Sequence, residues 1–112
     1  MNIEEKIKTL EESKIQIEKA LKEQKKRAIK AAEKEAEYRK ELAKEMYRLK
    51  ELKMPVTLIG DIARGNLSEL RKERDLAEIE LKAANLYIKH NMQQVETLRT
   101  LISYSKTEIN IL

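Results

Sequence analysis

Few side chains in this sequence have the chemistry that catalysis or metal binding requires. There is one histidine, His90, and no cysteine. A histidine that binds a metal ion on a helix needs a second ligand three or four positions away. Those positions hold Leu86, Tyr87, Gln93 and Gln94. The sequence therefore predicts that His90 is a surface or register-setting residue and binds no metal.

Glutamate is abundant, which raises the question of a carboxylate site inside a helical bundle. Such sites use Glu-x-x-His pairs on facing helices, and the sequence contains no such pair. Glu35 and Glu45 lie near the apolar seam of the first predicted helix, where we expect them to pair with Lys or Arg of the facing helix. With no glycine-rich phosphate loop either, the sequence predicts no enzyme, no cofactor and no metal site.

Positive charge is concentrated in the middle of the chain. The net charge is +4, and residues 39–74 alone hold ten Lys or Arg against six Asp or Glu. A patch of this kind attracts an anion or a phosphate backbone. It surrounds the one segment that breaks the helical pattern, residues 54–66, which contains the only proline and both glycines.

This hinge is the candidate binding site. Helix starts near Thr57 and Asn66 would present free backbone N–H groups, which suit a phosphate or carboxylate. The alternative is that Pro55, Gly65 and Asn66 only turn the chain. In that case Arg64 is a solvated charge that complements the dipole of a helix end. The residues predicted to bind a ligand are Thr57, Arg64, Asn66, Arg71, Lys72, Arg74, Arg48 and Lys53.

The composition predicts an all-α protein. Charged residues make up 39% of the chain and aromatic residues only 4%, with neither Phe nor Trp. This balance is typical of coiled coils and long helices, and it offers few large side chains for a compact globular core. Hydrophobic residues, at 41% and with regular spacing, argue against disorder.

The first helix is predicted over residues 3–53. Asn2 is a good N-cap, with Glu5 at the capping-box position. Polar residues interrupt the stripe at Lys14, Gln24 and Glu35, and we expect Lys14, Gln24 and Asn91 to fix the register at some cost in stability. The apolar stripe comprises Ile3, Ile7, Leu10, Ile17, Leu21, Ala28, Ala31, Tyr38, Leu42, Met46, Leu49 and Leu52.

The hinge itself is predicted to contain one short helical turn. Pro55 pushes the residue before it out of helical geometry and so ends the first helix. Leu58, Ile59 and Ile62 share one face of the turn, and Gly65 suits the left-handed position after it. Asn66 is then expected to cap the last helix, with Glu69 completing a second capping box.

The last helix, residues 67–109, carries two apolar stripes. The first comprises Leu70, Ala77, Leu81, Ala84, Ile88, Val95, Leu98 and Ile102. Together the stripes are wider than one partner helix can cover. We therefore expect a long antiparallel helical hairpin that self-associates into a helical bundle. The second stripe supplies the expected oligomer interface, at Leu76, Ile79, Ala83, Leu86, Leu101 and Tyr104.

The run from Met54 to Asn66, followed by Glu73-Arg-Asp-Leu-Ala77, resembles a group of small helical proteins from phages and prophages of Gram-positive bacteria. Those proteins are typically encoded among early genes, near single-strand recombination functions. The likeness covers the hinge and the start of the last helix, and it carries over no catalytic residue. It implies a phage early-gene setting, in which small non-enzymatic proteins often inhibit or sequester host defence components or assist recombination.

Three functions fit these features. The first is a homo-oligomeric binding protein that captures a host protein or an anionic small ligand, such as a nucleotide immune signal. The second is a nucleic-acid-binding accessory of phage recombination, which needs stacking aromatics along a basic groove. The third is a purely structural coiled-coil assembly protein. Nucleic-acid binding is less favoured than ligand capture because the four tyrosines are dispersed along the chain. They are Tyr38, Tyr47, Tyr87 and Tyr104.

The expected location is the cytoplasm of a bacterial host. No apolar run is long enough to span a bilayer, and the charged N-terminus lacks the apolar core of a signal peptide. The absence of cysteine suits a reducing compartment. We therefore expect no membrane partner.

Overall fold

The computed structural model describes residues 2–111, and the side chains of residues 2–109. Three helices follow one another: α1 (Ile3–Glu51), α2 (Val56–Asn66) and α3 (Ser68–Ile111). No strand occurs between residues 2 and 111. The protein is a long helical hairpin in which α1 and α3 are the arms and α2 lies at the hinge, which confirms the predicted all-α fold.

Contacts divide the hairpin into two compact units. Unit 1 is Met1–Lys25 with Ala83–Leu112, and unit 2 is Lys26–Lys82. Both arms contribute to both units. Each unit therefore has its own set of contacts between α1 and α3.

In unit 1 the two arms are joined by polar contacts across the seam. Lys6 Nζ donates to Ser105 Oγ at 3.2 Å, and Gln24 Nε2 donates to Asn85 Oδ1. Residue numbers rise along α1 as they fall along α3, so the arms are antiparallel. Gln24 therefore occupies a seam position, as predicted, and its partner is an amide on the facing helix. The buried residues of this unit are Ile88, Val95 and Ile102.

In unit 2 the arms are also antiparallel, and here ion pairs connect them. Lys34 Nζ lies 3.2 Å from Glu73 Oε2, and Lys30 Nζ lies 3.5 Å from Glu80 Oε2. The carboxylate of Glu73 raises the pKa of Lys34, first by its hydrogen bond and then by its charge. Both pairs are partly exposed, so each adds little to stability. The buried residues of this unit are Tyr38, Leu49, Ala63 and Ala77.

The two stripes predicted on α3 differ in burial. All eight residues of the first stripe are buried or half-buried, whereas all six residues of the second are exposed. Two polar residues, Arg74 and Asn91, occupy the positions of the first stripe that its apolar residues leave open, and both are half-buried. The first stripe of α3 therefore packs within the hairpin, and the second stripe is exposed in a single chain.

The stripe predicted on α1 is wrong at some positions. Leu21 and Lys14 are exposed, and the half-buried positions are their neighbours Ala20 and Ser13. Ile7 and Leu52 are exposed as well. Steps of three and four fit several paths when apolar residues are adjacent in sequence, and small residues such as Ala20 allow the arms to approach closely.

Asn2 caps α1 as predicted. Its side-chain oxygen accepts a hydrogen bond from the backbone N–H of Glu5 at 2.8 Å, and its carbonyl accepts one from Lys6 at 3.0 Å. The cap satisfies an N–H group that the first turn of a helix cannot pair internally. It fixes the start of the first arm.

α1 ends in a Schellman motif centred on a lysine. Lys53 has a φ of 59°, and the N–H of Met54 bonds the carbonyl of Leu49 at 3.2 Å. The N–H of Lys53 bonds the carbonyl of Lys50 at 3.0 Å. This pair of bonds defines the motif, which places the residue after the C-cap in left-handed geometry. Pro55 follows two positions later and prevents the helix from continuing.

Glycine at position 53 is expected to stabilise the fold. Left-handed geometry costs a residue with a Cβ about 1 kcal/mol, and glycine avoids that cost. Lys53→Gly should therefore raise the free energy of unfolding by about 1 kcal/mol in chemical denaturation. Lys50→Gly is the control, since glycine inside a helix lowers stability by about 1 kcal/mol. A loss of stability in both variants would contradict the motif.

The second half of the hinge differs from the prediction. Neither glycine has a positive φ, and Gly65 lies inside α2. Asn66 is the last residue of α2 and caps nothing, because the N–H of Leu67 bonds the carbonyl of Ala63 at 3.1 Å. The N–H of Arg71 bonds the carbonyl of Leu67 at 3.0 Å. The Schellman turn already reverses the chain, so α2 passes into α3 without a second break.

Candidate functional site

Two open grooves meet on either side of Arg64 and Arg71 in unit 2. The first, which we call the arginine groove, is lined by Glu35, Tyr38, Arg39, Leu42, Arg64, Arg71 and Arg74. The second, which we call the α2–α3 groove, is lined by Asp61, Arg64, Gly65, Ser68, Arg71, Lys72, Asp75 and Leu76. Arg64 and Arg71 line both grooves.

The joint between α2 and α3 places these two arginines together. Hydrogen bonds of the i to i−4 type continue through the joint at Leu67. Arg64 and Arg71 are seven residues apart, which is close to two helical turns. The two guanidinium groups therefore reach the same grooves although one belongs to α2 and the other to α3.

Arg74 is the most firmly held arginine of the groove. Its guanidinium carbon lies 4.4 Å from the centre of the Tyr38 ring, and its Nη2 lies 2.9 Å from Asp75 Oδ1. Glu35 Oε2 lies 3.5 Å from Arg74 Nε. The hydrogen bond to Asp75, followed by the charges of Asp75 and Glu35, raises the pKa of Arg74. The group stays positively charged, and the ring beneath it limits its movement.

The other arginines of the groove differ in how far they are neutralised. Arg39 Nε lies 2.6 Å from Glu35 Oε1, so Glu35 serves both Arg39 and Arg74. Arg64 Nη1 lies 3.3 Å from Asp61 Oδ1 in an exposed pair. Among the described residues, none forms a side-chain hydrogen bond or an ion pair with the Arg71 guanidinium. The groove thus has four guanidinium groups, one shared carboxylate within it, and one arginine whose donors are all available.

Four of the predicted ligand-binding residues line the grooves, and the other four do not. Arg64, Arg71 and Arg74 line the arginine groove, and Lys72 lines the α2–α3 groove. Arg39 also lines the arginine groove and was not predicted, because its spacing of four from Glu35 indicates an ion pair on α1 but not a groove shared with α3. The predicted residues outside both grooves are Thr57, Asn66, Arg48 and Lys53.

Arg48 and Asn66 are occupied elsewhere. Arg48 Nε lies 3.2 Å from Glu45 Oε2, and Asn66 Nδ2 donates to Glu45 Oε1 at 3.0 Å. The hydrogen bond from Arg48, followed by the one from Asn66, lowers the pKa of Glu45. Glu45 therefore connects α1 to the end of α2. Since Asn66 does not start a helix, the expected anion site at a helix start there is wrong.

Unit 1 has a separate groove around His90 that lacks charged lining. It is lined by Thr9, Ser13, His90, Gln93, Gln94, Thr97 and Leu98. His90 Nε2 lies 3.2 Å from Gln94 Nε2 on the same helix. In the part of the chain that the structure describes, no three His, Asp or Glu side chains form a group that could hold a metal ion. This groove offers hydrogen bonds but no Lys or Arg side chain to attract an anion.

None of the three helices, over the residues described, combines the length and the low charge that crossing a bilayer requires.

No protein-family model, curated protein or solved structure matches this chain.

Proposed function

We propose that this protein is a non-enzymatic, self-associating binding protein that captures an anionic ligand in the arginine groove. The observation that supports the proposal best is a groove lined by four arginines and one carboxylate, in which the Arg71 guanidinium has no side-chain partner among the described residues. The Arg71 guanidinium has its donors available and lies in a groove with other arginines. Such a group can bind a phosphate or a carboxylate.

The charges of the groove indicate which anions would bind. Glu35 and Asp61 already satisfy part of Arg39 and Arg64, so a ligand must compete with them for those donors. A single carboxylate competes poorly, whereas a phosphate presents several oxygens and more charge. We therefore favour a ligand with one or more phosphate groups, such as a nucleotide.

The phage setting implied by the resemblance suggests what such binding would achieve. A stoichiometric binder of a nucleotide immune signal, or of a host defence protein, would counter host defence by sequestration. The proposal places the protein in the cytoplasm of a bacterial host, where such a signal acts. It requires no catalytic group and no cofactor, only affinity and abundance.

Nucleic-acid binding in phage recombination is the alternative function. Single-strand binding uses aromatic rings on which bases stack. The ring in the arginine groove belongs to Tyr38, which is buried and covered by Arg74. The exposed tyrosines line neither groove of unit 2. The groove therefore suits a phosphate group better than a strand of bases.

Thermal shift with a panel of linear and cyclic nucleotides tests the proposal. A ligand at 100 times its dissociation constant adds about 2.7 kcal/mol to the free energy of unfolding. We expect Arg71→Ala to weaken binding at least about tenfold, because hydrogen bonds to charged groups contribute about 1.5–3 kcal/mol each. Arg48→Ala is the matched control, since it removes the same charge from unit 2 but lies outside both grooves.

The outcomes separate the candidates. Equal loss of affinity in both variants would mean that binding follows net charge and not the groove. A shift with single-stranded DNA that weakens steeply with salt and depends on Arg71 would favour the nucleic-acid alternative. No shift with any nucleotide or DNA would leave a host protein or a purely structural role.

A further inference from the structure

A second, exposed face of α3 in unit 1 has its own helical spacing. Three of its residues, His90, Gln93 and Thr97, also border the groove lined by Thr9 and Ser13 of α1. Starting at Ala83, the seam positions of this face follow alternating steps of three and four. All of them are exposed in the single chain: Ala83, Leu86, His90, Gln93, Thr97, Thr100 and Tyr104. Leu101 and Tyr87 widen the seam on one side and are exposed as well. Steps of this kind are the pattern with which one helix packs along another.

We propose that this face pairs with the same face of a second copy, antiparallel, about a twofold axis level with Asn91 and Met92. The inference rests on the self-association that is part of the proposed function, and it adds the orientation and register. A twofold interface brings one patch onto itself, so the patch must be complementary to itself. Its charged residues show which arrangement meets that condition.

Lys89 and Glu96 flank the seam on the same side and lie one heptad apart. In an antiparallel pair, such flanking positions face their equivalents on the other helix. With the axis level with residues 91 and 92, Lys89 faces the partner's Glu96, and Glu96 faces the partner's Lys89. Each dimer then has two ion pairs, which the twofold axis relates to each other.

Other arrangements lose this match. Moving the axis by half a heptad toward the N-terminus places Lys89 against the partner's Lys89. Moving it the same distance toward the C-terminus places Glu96 against the partner's Glu96. A parallel pair places Lys89 beside the partner's Gln94 and Glu96 beside the partner's Leu101, with no opposite charges. The antiparallel register alone pairs both charges.

Both charged side chains are available for this contact. Among residues 2–109, none forms an ion pair or a side-chain hydrogen bond with the Lys89 ammonium group. The Glu96 carboxylate pairs with Arg99, whose Nη1 lies 3.2 Å from Oε1, but the Glu96 side chain is exposed and can reach a second cation. Across the axis, Leu86 meets the partner's Thr97, and His90 meets the partner's Gln93. Polar groups at the centre set the register at the expense of affinity, so we expect micromolar association.

Distance between spin labels tests the orientation. The chain has no cysteine, so Lys106→Cys provides a single exposed attachment point. Antiparallel pairing separates the two labels by 29 helical positions, or about 43 Å along the axis. Parallel pairing keeps them within about 20 Å, since packed helices lie about 8–10 Å apart. A short distance would overturn the antiparallel arrangement but leave self-association intact.

Charge exchange tests the register. Lys89→Glu should weaken dimerisation about tenfold in sedimentation equilibrium, because two attractive pairs become repulsive. Glu96→Lys should do the same, and the double variant should restore the original affinity. A double variant that stays as weak as the single ones would overturn the pairing. A chain that is monomeric throughout the micromolar range would overturn both the pairing and the self-association, while nucleotide binding at Arg71 would remain separately testable.

Discussion

Replacing Tyr38 with alanine is expected to lower the free energy of unfolding by about 3 kcal/mol, since truncation of a buried aromatic ring typically costs about 3–5 kcal/mol. Tyr38 is 4% exposed, and it is the one aromatic side chain among the buried residues of the described chain. Its ring also supports the Arg74 guanidinium. We expect the same variant to bind a phosphate ligand more weakly, because Arg74 would lose the surface that limits its movement.

Two further variants separate these effects. Tyr47→Ala makes the same change at a side chain that is 66% exposed, and we expect its unfolding free energy to stay within about 0.5 kcal/mol of the original. Tyr38→Phe keeps the ring and should retain both the stability and the support of Arg74. Chemical denaturation and nucleotide titration provide the measurements. Equal stability of the two alanine variants would mean that Tyr38 is not part of the core.

Much of the fold was predictable because helical spacing is a regular signal. On α3, the stripe containing Ala77 and Ile88 is buried and the stripe containing Ile79 and Leu86 is exposed, as the sequence predicted. On α1 the signal was ambiguous where Ala20 and Leu21 are adjacent. Which of the two residues faces α3 depends on how closely the two backbones approach, and this depends on α3 as well as on α1.

The hinge was harder to predict because glycine permits left-handed geometry without requiring it. Gly65 was expected to end a helix, yet it lies inside α2, and Lys53 takes the left-handed position instead. Pro55, two residues after Lys53, was the stronger signal for the end of α1. Once that turn reverses the chain, continued hydrogen bonding through Leu67 leaves fewer backbone groups unpaired than a second break would.

The sequence shows where basic residues are concentrated but not which of them lie together in the folded protein, so the lining of the arginine groove was predicted only in part. Residues 39–74, which hold the basic excess, all lie in unit 2. Which arginines share a groove depends on the register of α1 against α3, and this is why Arg39 was missed. Arg48 was predicted to contribute but is held by Glu45, a carboxylate on its own helix.

Two side chains of α3 distinguish the hairpin core from the face that we propose for self-association. Ile88 is 6% exposed and Leu86 is 66% exposed. Ile88→Ala should lower the free energy of unfolding by about 3 kcal/mol, because it leaves a cavity between the arms. This loss should be the same at every protein concentration, since the contact lies within one chain.

Leu86→Ala removes a side chain of the same size from the opposite face. In dilute solution it should change the free energy of unfolding by no more than about 0.5 kcal/mol. At concentrations where copies associate, it should lower the unfolding midpoint, because association stabilises the folded chain by mass action. Unfolding curves over a hundredfold range of concentration would show the difference. If Leu86→Ala were as damaging in dilute solution as Ile88→Ala, the outer stripe would belong to the hairpin core and would be unavailable to a second copy.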